Sequence, residues 1–191
     1  MFFARFIFGP AVLGAVLFSA GCDNTLALPL ATVANVVDTV TLNALRGTPI
    51  NVPSGFDVVL RRVARTDRLG EGFDIAFDID EQSRALILTT GALGLSVQSA
   101  IQRFDGAFDD LAVAPLEDYE RDVEMSVEVG SVFIVRSRPD ANQCAFFLGQ
   151  LPRYGKFEVL FLDLQTRQIT LEHLVNVNCG YRGLEIGIPT R

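Results

Sequence analysis

The strongest constraint on the fold is a hairpin pattern near the end of the chain. Residues 156–164 read KFEVLFLDL, residues 165–167 read QTR, and residues 168–177 read QITLEHLVNV. β-Branched and aromatic residues are frequent in both long segments, which is typical of strands. The short polar segment between them predicts a tight reversal of the chain. The sequence therefore indicates two consecutive antiparallel strands.

Similar segments recur along the chain. Residues 72–80, GFDIAFDID, alternate strictly, which predicts a strand that buries its Phe and Ile side chains and exposes Asp74, Asp78 and Asp80 to solvent. Residues 84–90, 122–129 and 131–136 are also typical of strands. Such spacing predicts an all-β fold, a single antiparallel sandwich or barrel-like domain over residues 37–191. Residues 91–96 fit a turn, residues 93–102 fit a short helix only weakly, and residues 39–45 fit a strand or a helix.

The first 21 residues have the layout of a secretory signal peptide. Arg5 precedes an apolar run over residues 6–17, and Ser19, Ala20 and Gly21 follow it. The apolar run is broken by Pro10 and Gly14 and is too short for a typical transmembrane helix.

The junction Ser19-Ala20-Gly21-Cys22 resembles the lipobox of bacterial lipoproteins, although that family usually has Leu where this chain has Ser19. The resemblance implies removal of residues 1–21 and acylation of Cys22, with residues 22–36 as a lipidated tether. Several acyl chains hold a protein stably on a membrane. The expected location is the bacterial cell envelope, on the periplasmic side or at the outer membrane. The alternative is that Cys22 is an ordinary residue or a disulfide partner near a cleavage site.

Three cysteines are an odd number for an exported chain. If Cys22 carries lipid, Cys144 and Cys179 remain to form a disulfide in an oxidising compartment. The alternative is a pair of buried free thiols.

The charge balance disfavours one class of partner. Removal of residues 1–21 takes away Arg5 and no acid, which leaves 15 basic and 23 acidic residues and a net charge of −8. A chain with this charge repels phosphate backbones, so we expect no nucleic-acid partner. The partners left open are the membrane, through Cys22, and a small ligand or another envelope protein.

No motif in the sequence identifies an enzyme or a metal site. The acidic residues Asp74, Asp78, Asp80 and Glu81 lack the glycine and distal glutamate of a calcium loop. His173, the single histidine, shares its strand face with apolar residues, which favours a core role over a ligand or a catalytic base. No nucleophile elbow, zinc motif or phosphate loop accompanies it. We therefore expect no catalytic residue and no metal ligand.

Three separated segments together resemble the HmuY-like haem-binding lipoproteins. They are FDIAFD at residues 73–78, FDDLAVAP at residues 108–115, and VGSVFIVRSR at residues 129–138 followed by YGKFEVLFLDLQTRQITLEHLV at residues 154–175. The resemblance implies an all-β fold on a lipid-anchored protein of the envelope. The resemblance does not imply haem binding, because the family's best-known haem ligands are a pair of histidines and this chain has one histidine. His173 and Met125 are the low-ranking candidates for an axial pair.

The function predicted from the sequence is that of a non-enzymatic, lipid-anchored envelope protein with a structural or binding role. No cofactor is expected. The first alternative is a carrier of haem or another small ligand, like the HmuY-like proteins. The second alternative is an envelope hydrolase that uses His173.

Overall fold

The computed structural model describes residues 28–68, 72–96, 98–139, 144–146 and 149–190. It contains two five-stranded antiparallel sheets packed face to face. The all-β prediction is therefore confirmed, in the form of a sandwich. The predicted signal peptide, Cys22 and the first residues of the predicted tether lie outside the described residues. Within the described ranges, no helix has the length and apolar character needed to cross a membrane.

The first sheet has the strand order β1-β12-β11-β8-β6, and the second has the order β3-β2-β4-β5-β7. The strands of the first sheet are β1 (Val37–Asn43), β6 (Ala100–Phe104), β8 (Val132–Arg136), β11 (Tyr154–Asp163) and β12 (Gln168–Asn176). Those of the second sheet are β2 (Gly55–Asp57), β3 (Arg62–Ala64), β4 (Ile75–Ile79), β5 (Ala85–Thr89) and β7 (Glu124–Val127). A small hairpin joins β9 (Ala145–Phe146) and β10 (Gly149–Gln150), and Phe108–Asp110 form one 3-10 turn, η1.

The predicted hairpin is β11–β12. Its register pairs Phe157 with His173 and Val159 with Leu171, and these side chains face the second sheet. An irregularity between Val159 and Phe161 then shifts the alternation of β11, so that Leu162 packs against the core and Phe161 is exposed. The Asp163 carboxylate closes the turn by accepting hydrogen bonds from the backbone amides of residues 165 and 166, at 2.8 and 3.0 Å.

The main core fills the space between the sheets. Its largest fully buried side chains include Phe56 and Phe77 from the second sheet and Phe133 and Phe157 from the first. The rings of Phe133 and Phe157 stack with centroids 5.3 Å apart, and Phe56 meets Phe157 edge-on at 5.4 Å. These close aromatic contacts make the centre of the sandwich a packed core.

A second apolar cluster covers the outer face of the first sheet. Phe108 and Leu111, in and after η1, pack on Ile134 and Leu174. Lys156, the single lysine of the chain, is buried beneath this segment and donates hydrogen bonds to the carbonyl oxygens of Phe108 (2.8 Å) and Leu111 (3.1 Å). Its ammonium also lies 4.3 Å from the centre of the Phe108 ring. Lys156 thus fastens the η1 segment to the sheet.

The chain contacts the sandwich before β1 begins. Asn35 is buried and exchanges two backbone hydrogen bonds with Gly187, and the Asn178 side chain accepts from the amides of Thr32 and Val33. The end of the predicted tether is therefore held against the C-terminal segment.

Cys144 and Cys179 form a disulfide with their Cα atoms 5.4 Å apart, as the odd cysteine count predicts. The bond joins the segment after β8 to the segment after β12.

The helical prediction for residues 93–102 is wrong. Gly94 donates to the carbonyl of Gly91 in a turn, and β6 begins at Ala100. Thr90 and Ser99 hydrogen-bond to each other across the bend, which favours a loop over helix continuation. Residues 39–45 lie mainly in β1, so their strand alternative is the observed one.

Candidate functional site

His173 lies in the core between the sheets. Its ring centroid is 4.8 Å from that of Phe56 and 5.8 Å from that of Phe157. Burial lowers the pKa of His173; Arg61 lowers it further and Asp38 opposes both effects. The imidazole is therefore neutral at pH 7. Its Nδ1 atom is buried and has no hydrogen-bond partner among the described residues. A neutral ring enclosed by aromatic side chains fits the core role predicted from the sequence.

Met125 lies on the other sheet, on the edge strand β7, where it pairs with Ile87. A haem held between His173 and Met125 would need an open gap between the sheets. The aromatic rings of Phe56 and Phe157 occupy the space next to His173 instead. The surroundings of His173 and Met125 therefore do not fit a haem group.

Alternation predicts that the aspartates in and beside β4 are exposed to solvent. This prediction is wrong for Asp74 and Asp78. Both side chains are buried. Asp74 pairs with Arg138 at 2.8 Å and Asp78 pairs with Arg46 at 2.5 Å. Asp80 pairs with Arg84 across the β4–β5 turn. The three aspartates thus bind three different arginines.

Asp57, Asp74 and Arg138 form the most buried charged cluster among the described residues. The Arg138 guanidinium donates to Asp74 at 2.8 Å and to Asp57 at 3.1 Å. The backbone amides of Arg138 and Val58 also donate to Asp74, at 2.6 and 2.7 Å. Gly72 leaves the necessary space, since a Cβ atom there would lie 2.1 Å from the guanidinium. This acid–arginine cluster joins β2 and the start of β4 to the end of β8.

Two carboxylates share one guanidinium in the cluster, and this sets its electrostatics. Burial raises the pKa of Asp74 to about 6, and the neighbouring Asp57 acts in the same direction, while Arg138 and the two amides oppose the shift. Asp74 is therefore mainly ionised at pH 7, as its donor partners require. Oδ2 of Asp57 is buried without a partner among the described residues. Because both carboxylates are fully buried, the cluster is a structural element and offers no surface to a substrate.

No group of three or more His, Cys, Asp or Glu side chains suited to a metal ion occurs among the residues that the structure describes. The acidic run of β4 shows the reason. Asp74, Asp78 and Asp80 point at separate arginines and do not converge on one point.

A concave site lies elsewhere, at the end of the sandwich near the disulfide. It is an open cleft of about 640 Å³, within the usual range for small-molecule sites. Its walls come from separated segments and present guanidinium, hydroxyl and amide groups together with two prolines: Ser96, Gln98, Arg121, Arg136, Ser137 and Gln150. We call this site the arginine cleft.

The two arginines of the cleft differ from most others in the described chain. Eight arginine side chains donate to a carboxylate or a backbone carbonyl: Arg46, Arg65, Arg84, Arg103, Arg138, Arg153, Arg167 and Arg182. Within the described residues, the side chains of Arg121 and Arg136 make no such bond.

Arg136 is oriented without being neutralised. Its guanidinium carbon lies 5.1 Å from the centre of the Tyr119 ring, in a cation–π contact. Burial raises the pKa of Tyr119, and the adjacent Tyr154 raises it further. Tyr119 is therefore uncharged at neutral pH and holds the guanidinium in place while leaving its positive charge available to a ligand.

Sequence reasoning missed the arginine cleft. None of its lining residues carries a motif, and they come from four regions, residues 96–98, 121, 136–139 and 150–152. No short-range pattern links these positions, so only the fold brings them together.

Comparison with known proteins adds no relative. No protein-family model, no curated protein and no solved structure matches the chain.

Proposed function

We propose that this chain is a non-enzymatic, lipid-anchored protein of the bacterial cell envelope that binds a small carboxylate or phosphate anion in the arginine cleft. The observation that carries the binding role is the placement of Arg121 and Arg136, which have no ion-pair partner among the described residues, on the wall of one cleft. Guanidinium groups bind carboxylates and phosphates through paired hydrogen bonds. Ser96, Gln98 and Gln150 add neutral polar groups on the same walls.

The negative net charge of the molecule opposes anion binding, and one carboxylate lies beside the cleft, since Asp122 follows Arg121 and accepts a hydrogen bond from the lining residue Gln98 at 3.2 Å. At physiological ionic strength the screening length is about 8 Å, so remote carboxylates are screened more strongly than arginines in contact with the ligand. Arg121 and Arg136 are the charged residues of the described cleft lining and outnumber the adjacent Asp122, so the local charge of the cleft is positive.

The envelope location is supported by two features. The segment before Cys22 resembles a lipoprotein signal. The Cys144–Cys179 disulfide is of a kind that persists in exported proteins and is rare in the cytosol. The non-enzymatic part of the proposal is supported by the core position of His173, which keeps this histidine away from the cleft walls.

Anion binding is tested by calorimetric titration of the full chain with inorganic phosphate and, separately, with malonate. We expect saturable binding of at least one of the two, and the preferred anion distinguishes a phosphate site from a carboxylate site. Arg136→Gln should bind roughly tenfold more weakly, because one charge-assisted contact is lost. Arg84→Gln is the matched control, since Arg84 pairs with Asp80 away from the cleft. Absence of heat with both anions, or unchanged binding by Arg136→Gln, contradicts the proposal.

Lipid attachment is tested by growing bacteria that express the full chain with a labelled fatty acid. The wild-type protein should carry the label and Cys22→Ser should not. Equal labelling of the two proteins removes the lipid anchor from the proposal.

A further inference from the structure

The two terminal segments of the described chain pair with each other. Asn35 donates to the carbonyl of Gly187 at 2.8 Å, and Gly187 donates to the carbonyl of Asn35 at 3.0 Å. The Asn35 side chain turns inward and donates to the carbonyls of Gly183 and Glu185. The residues next to Asn35 and Gly187 therefore point the other way, because neighbouring side chains in an extended chain alternate between faces.

These outward neighbours are apolar. Val36 lies opposite Ile186 in the antiparallel register, and Ile188 flanks Gly187 on its other side. Ile186 is 75% exposed, Ile188 is 54% exposed, and Leu30, farther along the same terminal segment, is 88% exposed. We call Val36, Ile186 and Ile188 the terminal patch; Leu30 lies between this patch and Cys22 in the sequence. Apolar side chains that stay exposed to water do not stabilise the fold. They contribute favourable free energy only when a partner surface covers them.

The terminal patch lies where the chain leaves the domain toward Cys22. Leu28 follows Cys22 by six positions, and six extended residues reach at most about 20 Å. The patch sits at the Asn176 end of β12, since Asn35 and Asn176 both donate to the carbonyl of Gly183. The β11–β12 turn lies at the other end of the nine-residue strand, about 27 Å away.

We infer that the terminal patch rests on the lipid bilayer and sets the orientation of the domain, with the β11–β12 turn pointing away from the membrane. This inference depends on the proposed acylation of Cys22. The tether makes patch–membrane contact intramolecular, so a few apolar side chains suffice to bias the orientation. The exposed Glu185 beside the patch restricts it to the headgroup region and the adjoining part of the acyl chains.

The size of the patch favours a membrane over a second copy of the chain. Three side chains expose on the order of two hundred Å², whereas a stable protein–protein interface buries about 800 Å² on each partner. An anchored domain needs no such area, because the anchor supplies the attachment.

The absence of tryptophan from the chain provides a direct test. A single tryptophan is introduced as Ile186→Trp in the terminal patch or, as a matched control, as Phe161→Trp, at an exposed position close to the β11–β12 turn. The full-length lipidated proteins are reconstituted in phosphatidylcholine vesicles with or without brominated acyl chains. Tryptophan at residue 186 should emit at shorter wavelength, and bromine should reduce its emission to roughly half, as for a side chain at the headgroup–acyl boundary. Tryptophan at residue 161 should be unaffected by bromine.

Flotation of the same vesicles separates this inference from the proposed anchor. If the wild-type protein floats with vesicles and Cys22→Ser does not, the anchor stands, and an unquenched Ile186→Trp then overturns the membrane-facing patch. Equal quenching at residues 186 and 161 also overturns it. A shift to shorter wavelength without quenching assigns the patch to a protein contact instead. If the wild-type protein does not float, the anchor fails, and the orientation inference fails with it.

Discussion

Arg136 and Arg138 are two residues apart in the sequence and have different environments. Arg138 lies between the buried carboxylates of Asp57 and Asp74 and donates to both. Arg136 lies on the uncharged Tyr119 ring and lines an open cleft. The first guanidinium is neutralised inside the fold, and the second keeps its charge available. The comparison shows that two arginines on one short segment differ in whether the described residues supply them with a carboxylate.

The largest expected effect follows removal of the buried guanidinium. Arg138→Ala leaves two carboxylates buried without their cation, and such a break costs about 3–5 kcal/mol of unfolding free energy. Urea unfolding of the full chain at pH 7 measures the loss. Arg84→Ala is the control, because its pair with Asp80 lies on the surface and its removal should leave the urea midpoint within experimental error. Equal losses from the two variants contradict the structural role of Arg138.

The next effect concerns the disulfide, which lies close to one wall of the cleft. Leu151, between the cleft residues Gln150 and Pro152, donates its amide to the carbonyl of Cys144. Replacing both Cys144 and Cys179 by Ser should cost about 2–5 kcal/mol in urea unfolding. The same variant should bind anions more weakly, because this wall loses its attachment. Unchanged stability and unchanged binding together show that the bond supports neither.

A smaller effect is a pH dependence from Asp74. Its pKa is about 6 in the folded protein and 3.8 when unperturbed, chiefly because of burial, so between these values the folded chain holds a proton that the unfolded chain has lost. This contribution therefore makes the protein more stable as pH falls from 7 to 4.5, by about 2 kcal/mol. Urea unfolding across this range should show the rise in the wild type, and Asp74→Asn should lack it. The same pH slope in both proteins contradicts the assignment.

The sequence predicts the strands better than their surroundings. The β11–β12 hairpin and the core position of His173 follow from alternation, because one side of each strand is apolar and faces the other sheet. The same reasoning fails for Asp74 and Asp78. Alternation shows that the two faces of a strand differ in polarity, but it does not show that the polar face is exposed to solvent. The arginines that cover these aspartates come from positions 138 and 46, separated from them by 64 and 32 residues.

The disulfide and the arginine cleft illustrate two further limits of sequence reasoning. The Cys144–Cys179 pairing followed from the number of cysteines, which requires no geometry. No local sequence pattern predicts the arginine cleft, because its lining residues come from separated segments. Arg121 and Arg136 look like any other arginine in the sequence, and the fold alone places both of them on one cleft, without a hydrogen bond to a carboxylate or a backbone carbonyl of the described residues.

The most direct test of this comparison is urea unfolding of the wild-type chain and of Arg121→Gln/Arg136→Gln, each with and without inorganic phosphate or malonate. A ligand that binds only the folded state raises the unfolding midpoint in proportion to its occupancy. Without anion, the double variant should lose only about 1 kcal/mol of unfolding free energy, the size of the Arg136–Tyr119 cation–π contact, because neither arginine forms an ion pair among the described residues. With the bound anion, the wild-type midpoint should rise and that of the double variant should not. A loss of about 3 kcal/mol or more in the anion-free variant, as for a broken buried ion pair, or equal rises in the two proteins, would contradict the account.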